Sequence, residues 1–270
     1  MDTLPYNFSN KAISETEVRE MLIKYGHTGK INDINIYRNA FVHKSYCTRK
    51  NDNYVNGNTQ CPAGCLPLQE ESYERLEFLG DAVVNLVVGY YLFQRYAHEN
   101  EGILTKMRTK LVNGNMMAEL ALEGLDLGKH FIIAKQIEDN AGRSNKKILE
   151  DCFEAFIGAI YIDSKNMGEV ETWIINLIEQ NVDFADLIMS IENHKDLLFK
   201  QFQHTVGYVP KFYERGVETD SSTGVKKYTV CIKDHKNPNV ILGVGEGATK
   251  KAAENNCAKV VCEKFGWFKA

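Results

Sequence analysis

Five acidic residues stand out by type and spacing. Glu74, Glu77 and Asp81 lie in ERLEFLGDAV at i, i+3 and i+7. In a helix that spacing confines them to a narrow arc of one face. Their neighbours Leu76, Phe78, Leu79, Val83, Val84 and Leu86 are apolar, so the acids sit on an otherwise core-type helix. Asp151 and Glu154 repeat the i, i+3 spacing in LEDCFEAFIGAIYID, again apolar on most faces. Burial and mutual repulsion both disfavour ionised carboxylates, and a cation among them removes most of that cost. If the two helices pack with their acidic faces together, four or five carboxylates converge. An all-oxygen, acid-rich site suits Mg²⁺ or Mn²⁺ rather than zinc. Paired hard cations serve phosphodiester hydrolysis, one activating water and the other stabilising the leaving oxygen. Solvated surface charge explains any single acid, but poorly explains five on two apolar helices. A di-iron carboxylate bundle needs Glu-x-x-His pairs, and no Glu here has a His three residues later.

Positioning these acids requires a helical scaffold, and residues 1–190 read as all helix. Ser14 and Glu17 form a capping box ahead of VREMLIKYG. Further helices are expected over Asn35–Tyr46, Glu74–Ala97, Glu101–Leu125, Lys147–Tyr161 and Val170–Ile188. Residues 47–72 are polar and Asn-rich with no period, a loop insertion longer than usual connections. After Glu192 the pattern changes. A helix over His194–His204, strands over Lys211–Val217, Lys226–Lys233 and Val240–Glu246, and a Lys- and Ala-rich helix over Thr249–Phe265 give the order α-β-β-β-α. The expected fold class is an all-α domain, 1–190, followed by a small α+β domain, 191–270.

Charge divides the chain in the same way. Residues 191–270 carry 13 Lys and Arg against 9 Asp and Glu, while the remainder carries 19 against 27. The whole chain of 270 residues is at −4, which excludes a protein basic along its entire surface. The N-terminus lacks a signal-peptide pattern, and the most apolar stretch, Ala82–Phe93, is too short for a bilayer. We therefore expect a soluble intracellular protein, in the cytoplasm or nucleus, with no membrane partner. Seven cysteines without a secretion signal are expected to be free thiols.

ERLEFLGDAVVNLVV resembles the signature helix of the ribonuclease III family. AFVHKSY (40–46) is similar to the family's His-x-Ser-Tyr segment, EGILTKMRTKLVN (101–113) to its EG-x-L-S-x-x-R-x-x-L-V segment, and ILEDCFEAFIGAIYID (148–163) to its second acidic motif. The resemblance covers nearly the whole chain apart from the N-terminal residues and the insertion. It implies an endonuclease specific for double-stranded RNA that leaves 5′-phosphates, 3′-hydroxyls and short 3′ overhangs, and works as a homodimer. By this resemblance Glu77, Asp81, Asp151 and Glu154 hold catalytic Mg²⁺, which Mn²⁺ can replace. Glu74 matches an additional acid associated with RNA or metal engagement, and Glu101 an acid approaching the site from the partner subunit. Phe78 matches an apolar dimer contact. Lys147 resembles a lysine of the Dicer and Drosha branch, lying near the scissile phosphate; a solvated helix-start lysine is the plain alternative.

The C-terminal order resembles a double-stranded RNA-binding domain, which reads A-form shape with little sequence discrimination. Thr249, Lys250 and Lys251 stand at the N-terminus of its second helix, where dipole and charge both favour phosphate. Lys200 and Gln203 occupy first-helix positions that would face a minor groove. The sequence departs from the domain's pattern twice. Ser221–Gly224 replace the usual Gly-Pro-x-His segment, and Glu254 stands where many members have a third lysine. Both departures imply weaker binding by this module alone.

Cys47, Cys61 and Cys65, with His43, could form a Cys₃His zinc site, although the spacing is not a standard knuckle and free thiols are favoured. Two rival functions are a non-cleaving duplex-RNA binder and a hydrolase of small phosphates. The complete set of core acids argues against the first, and the C-terminal module against the second.

Overall fold

Side-chain caps set where the helices begin. Ser14 N–H donates to Glu17 Oε2 (2.9 Å) and Glu17 N–H to Ser14 Oγ (3.3 Å). This capping box opens α1 (Glu15–Lys24). The computed structural model describes residues 4–48, 60–191, 194–219 and 226–267. It divides into two compact units, Met1–Leu187 and Ile188–Ala270.

In the first unit α1 is followed by α2 (Ile34–Asn39), α3 (Glu74–Arg95), α4 (Glu101–Leu111), α5 (Gly114–Glu119), α6 (Lys135–Asp139), α7 (Lys146–Ser164) and α8 (Met167–Asn181), and α9 (Phe184–Ile191) runs across the boundary after Leu187. Three expected helices are interrupted, each by a polar side chain that bonds the backbone locally. His43 Nδ1 accepts Ser45 N–H and starts a 3₁₀ turn, so the helix expected over Asn35–Tyr46 breaks after Asn39. Asn113 Oδ1 accepts Met116 N–H and splits Glu101–Leu125 into α4, α5 and a π-helical turn over Leu120–Gly124. Asp183 Oδ1 accepts from Ala185 and Asp186 N–H and separates α9 from α8. Such short side chains favour caps over helix interiors.

The core gathers around α7, where twelve residues are buried. Phe156 contacts the rings of Tyr37, Phe41 and Trp173 with centroids 5.7–5.9 Å apart. α3 lies along α7 at very close range. A Cβ on Gly80 would stand 1.7 Å from the Glu154 carbonyl oxygen, and one on Gly158 2.3 Å from that of Leu76. The two glycines thus let the backbones touch. α3 has 22 residues, longer than the apolar stretch read from the sequence, and is long and apolar enough to cross a membrane. Seven of its residues are nonetheless buried inside the unit, as in a core helix.

The insertion's described end is tied down. Tyr46 hydroxyl donates to Leu66 O (2.8 Å), and Gln69 pairs with Tyr46 and Thr48 through the backbone. Residues 49–59 lie outside the described residues.

The second unit comprises α10 (His194–Thr205), β1 (Phe212–Thr219), β2 (Lys226–Lys233), β3 (Ile241–Gly247) and α11 (Lys250–Lys264). The sheet is antiparallel in the order β1-β2-β3, with a register irregularity at Glu214–Gly216. Leu198 and Phe202 from α10, Val230 and Ile232 from β2, and Ala253, Cys257 and Val261 from α11 form its core. The architecture is therefore a helical unit followed by a three-stranded sheet with flanking helices. Ser221–Gly224 lie outside the described residues.

Candidate functional site

The Gly80–Gly158 approach brings the acidic faces of α3 and α7 together. Carboxylate oxygens of Glu77, Asp151 and Glu154 lie within 4.8 Å of one another, the one such group among the described residues. Glu154 is 7% exposed, and the Asp151 side chain 13%. Burial, with the repulsion of Asp81, Glu150 and Glu77 added, pushes the Glu154 carboxyl up to about 8. Glu77 is raised as well, first by burial and then by Asp151.

Asp81 stands outside this tightest group. It is exposed, and its Oδ1 accepts a hydrogen bond from Asn85 Nδ2 at 2.8 Å. Its charge disfavours the ionised form of Glu154, so it borders the same site. Glu74 is also exposed and turned toward Lys44, with Nζ at 3.1 Å, and toward the Ser72 hydroxyl at 3.0 Å. Those hydrogen bonds hold its carboxyl below the usual range.

Lys147 reaches across the top of α7. Its Nζ lies 2.8 Å from Asp151 Oδ1 and 3.3 Å from Glu150 Oε2. The carboxylates raise its ammonium above the ordinary value. Asp151 Oδ1 is otherwise buried, so the Lys147 ammonium is its charged partner. On the other side, Tyr73 hydroxyl donates to Asp151 Oδ2 at 3.4 Å. Burial, and then the nearby Asp151, keep that phenol protonated. Sequence reasoning passed over Tyr73, Lys44, Asn85 and the two glycines. The glycines carried a legible signal, one standing inside each acidic helix despite its helix-breaking cost.

Not every acid on α7 belongs to this group. Asp163 is buried too, but its carboxylate accepts Asn32 and Asp33 N–H and the Tyr37 hydroxyl. It is a structural anchor with its hydrogen bonds satisfied. Glu101 sits in the first turn of α4, its Oε1 accepting from the Thr105 hydroxyl. Cys47, Cys61, Cys65 and His43 do not form a metal-sized group among the described residues. His43 Nδ1 is engaged by Ser45, and Cys47 is buried with its thiol pushed up to about 11 by desolvation.

In the second unit Lys200, Gln203, Lys250 and Lys251 are all exposed. Thr249 caps α11, its Oγ1 accepting Ala252 N–H at 3.2 Å. Lys250 Nζ is 3.3 Å from Glu214 Oε2. Glu254, the acid in place of a lysine, binds Lys195 Nζ at 2.6 Å. It ties α11 to α10 and neutralises one cation of the unit.

Two family models match: Ribonuclease-III-like over residues 33–180 and the double-stranded RNA binding motif over 194–265. A probable ribonuclease 3 of Acanthamoeba polyphaga mimivirus is 29% identical over 262 residues, covering 96% of this chain and 47% of that protein. The chain thus spans about half the length of that relative. Ribonuclease 3 of a Nitratiruptor species is 32% identical over 243 residues, covering 90% and 94%. A solved structure of the nuclease domain of Campylobacter jejuni ribonuclease III is 34% identical, with a TM-score of 0.50, covering 62% of this chain and 98% of that chain. The two matched segments follow the helical unit and the sheet unit in order. The chain belongs to the ribonuclease III family of endoribonucleases, with a helical nuclease unit and a C-terminal double-stranded RNA binding motif.

Proposed function

We propose that the protein hydrolyses phosphodiester bonds of duplex RNA, with divalent cations, Mg²⁺ or Mn²⁺, held by Glu77, Asp81, Asp151 and Glu154. The observation that carries this reading is the convergence of Glu77, Asp151 and Glu154 within 4.8 Å. The donor set fits such a cation. It is all carboxylate, Asp151 Oδ1 is buried with the exposed Lys147 ammonium as its contact, and Glu154 is driven toward its neutral form without a cation. When bound, the cations supply Lewis acidity and lower the pKa of attacking water.

The chain's own residues do the rest. Asp151 and Glu154 on α7 and Glu77 on α3 fix the place of attack. Asp81 completes the rim from the next turn of α3. Lys147 supplies a mobile positive charge over Asp151 that can turn to the scissile phosphate. Glu74, engaged with Lys44, borders the path by which RNA reaches the acids. Lys200, Gln203, Thr249, Lys250 and Lys251 would hold the duplex, and their charge offsets the acidic nuclease unit.

The exposed side chains of Phe78 (82%), Leu86 (62%) and Phe93 (67%) form an apolar stripe on α3. A second copy of the chain covering that stripe would make the homodimer that cuts both strands. Cuts on the two strands by paired sites leave 5′-phosphates, 3′-hydroxyls and short 3′ overhangs.

The test is cleavage of end-labelled duplex RNA by wild type, Asp81→Ala and Glu154→Ala, with Mg²⁺, Ca²⁺ or EDTA. Cleavage is expected from wild type in Mg²⁺ alone. Binding without cleavage in every condition would replace this reading with a sequestering protein.

A further inference from the structure

Asp151 is approached from two sides. Lys147 comes from its own helix and Tyr73 from the residue just before α3. Tyr73 is 3% exposed, its N–H donates to Val42 O at 2.8 Å, and its ring lies 5.8 Å from that of His43. It is therefore clamped at both ends, by backbone at one and by Asp151 Oδ2 (3.4 Å) at the other. Tyr73 makes no side-chain cap for α3, and among the described residues its hydroxyl donates to Asp151 alone, so helix formation does not account for it.

We propose that Tyr73 is a positioning residue, whose hydroxyl fixes the Asp151 carboxylate so that Oδ1 faces the cation site. The inference rests on the reading of Asp151 as a cation ligand. A free Asp side chain rotates about two torsions, and either oxygen can present itself. With Oδ2 held by a clamped donor, Oδ1, buried and in contact with the Lys147 ammonium, is the oxygen left to face the site. Lys147, 66% exposed, is the readily displaced contact on that oxygen. Tyr73 is the one that stays. Outer groups of this kind, which orient a ligand without touching the metal, typically change metal affinity 10–100-fold on removal. The long hydrogen bond puts Tyr73 at the low end, about tenfold.

The variant Tyr73→Phe removes the oxygen and keeps the ring packing. Mn²⁺ binding to the full chain without RNA is measured by calorimetry, alongside thermal melts in EDTA. We expect about tenfold weaker Mn²⁺ binding with a melt like that of wild type. Cleavage by the variant should need correspondingly more Mg²⁺ and regain the wild-type kcat at saturating Mg²⁺. Unchanged Mn²⁺ affinity, or a kcat deficit that saturating Mg²⁺ does not repair, would overturn the proposal. Asp151→Asn separates the two readings. If it retains wild-type Mn²⁺ binding, the cation site itself is wrong. If it loses binding while Tyr73→Phe does not, only the role of Tyr73 falls. Should Tyr73→Phe fail to fold, a fluorinated tyrosine at 73, altering only the acidity of the hydroxyl, must shift the Mn²⁺ affinity. No shift would likewise refute it.

Discussion

Gly80 on α3 rests against the main-chain carbonyl of Glu154 on α7, with no room for a methyl group between them. The contact sets the distance between the two acidic helices, because α7 cannot retreat without losing Phe156 from its aromatic cluster. Gly80→Ala is therefore expected to destabilise the nuclease unit by about 3 kcal/mol or more, the upper range for overpacking. Urea unfolding followed through Trp173, the tryptophan of that unit, measures it. A loss under about 1 kcal/mol would show that the helices can separate at little cost.

Glu154 makes the metal-free protein sensitive to pH. Its folded pKa of about 8 lies above the ordinary carboxyl value of 4.5. Between those values the folded chain binds more protons than the unfolded one, so this group lowers stability as pH rises through that window. Glu154→Gln removes the charge that must be buried. In EDTA it should stabilise the protein at pH 8 by a few kcal/mol, on the order of 3, and hardly at pH 5. Thermal melts at both pH values decide this. A difference that does not change with pH would rule out Glu154 as the source.

The stripe on α3 makes an oligomeric prediction. Phe78→Asp or Leu86→Asp puts a charge where the second copy would bury an apolar side chain. Each should weaken self-association at least about thirtyfold, the effect of a typical interface hot spot. Sedimentation equilibrium reads the constant directly. Because these side chains are exposed in the single chain, its melting temperature should stay close to wild type when dilute. Equal association by variant and wild type would place the dimer elsewhere.

Two adjacent lysines at the start of α11 should behave differently. Lys250 is shared with Glu214, whereas Lys251 has no ion-pair partner among the described residues. Lys251→Ala should reduce the salt dependence of duplex-RNA binding by about one counterion, and Lys250→Ala by less. Filter binding from 50 to 200 mM salt is enough to compare the slopes. Equal slopes would mean that RNA displaces Glu214 from Lys250.

The acids were legible in the sequence because a carboxylate on an apolar helix violates burial unless something compensates it; that argument holds for Glu77, Asp151 and Glu154, which converge, and not for the exposed Glu74 and Asp81. The strand and helix order of the second unit was legible for the usual reason of period. What the residues did not reveal was depth and direction. Asp81 lies on the same helical arc as Glu77 yet sits at the rim with Asn85, since a side chain's final torsion depends on neighbours that periodicity does not encode. The breaks at His43, Asn113 and Asp183 were missed because a short polar side chain inside an apolar run reads as a helix position until its backbone partner is seen. Tyr73 looked like an ordinary aromatic, and only the fold brings it to a residue 78 positions away.

α3 carries its acids along one side and the Phe78–Phe93 stripe along the neighbouring side. Adding or removing a single residue within it would turn everything downstream by about 100°. Either change would swing the stripe out of line with the acids. Changes of chain length are thus barred from this helix and diverted to the connection before it. There Gln69 pairs with Tyr46 and Thr48 through the backbone, which fixes the chain a few residues ahead of Glu74.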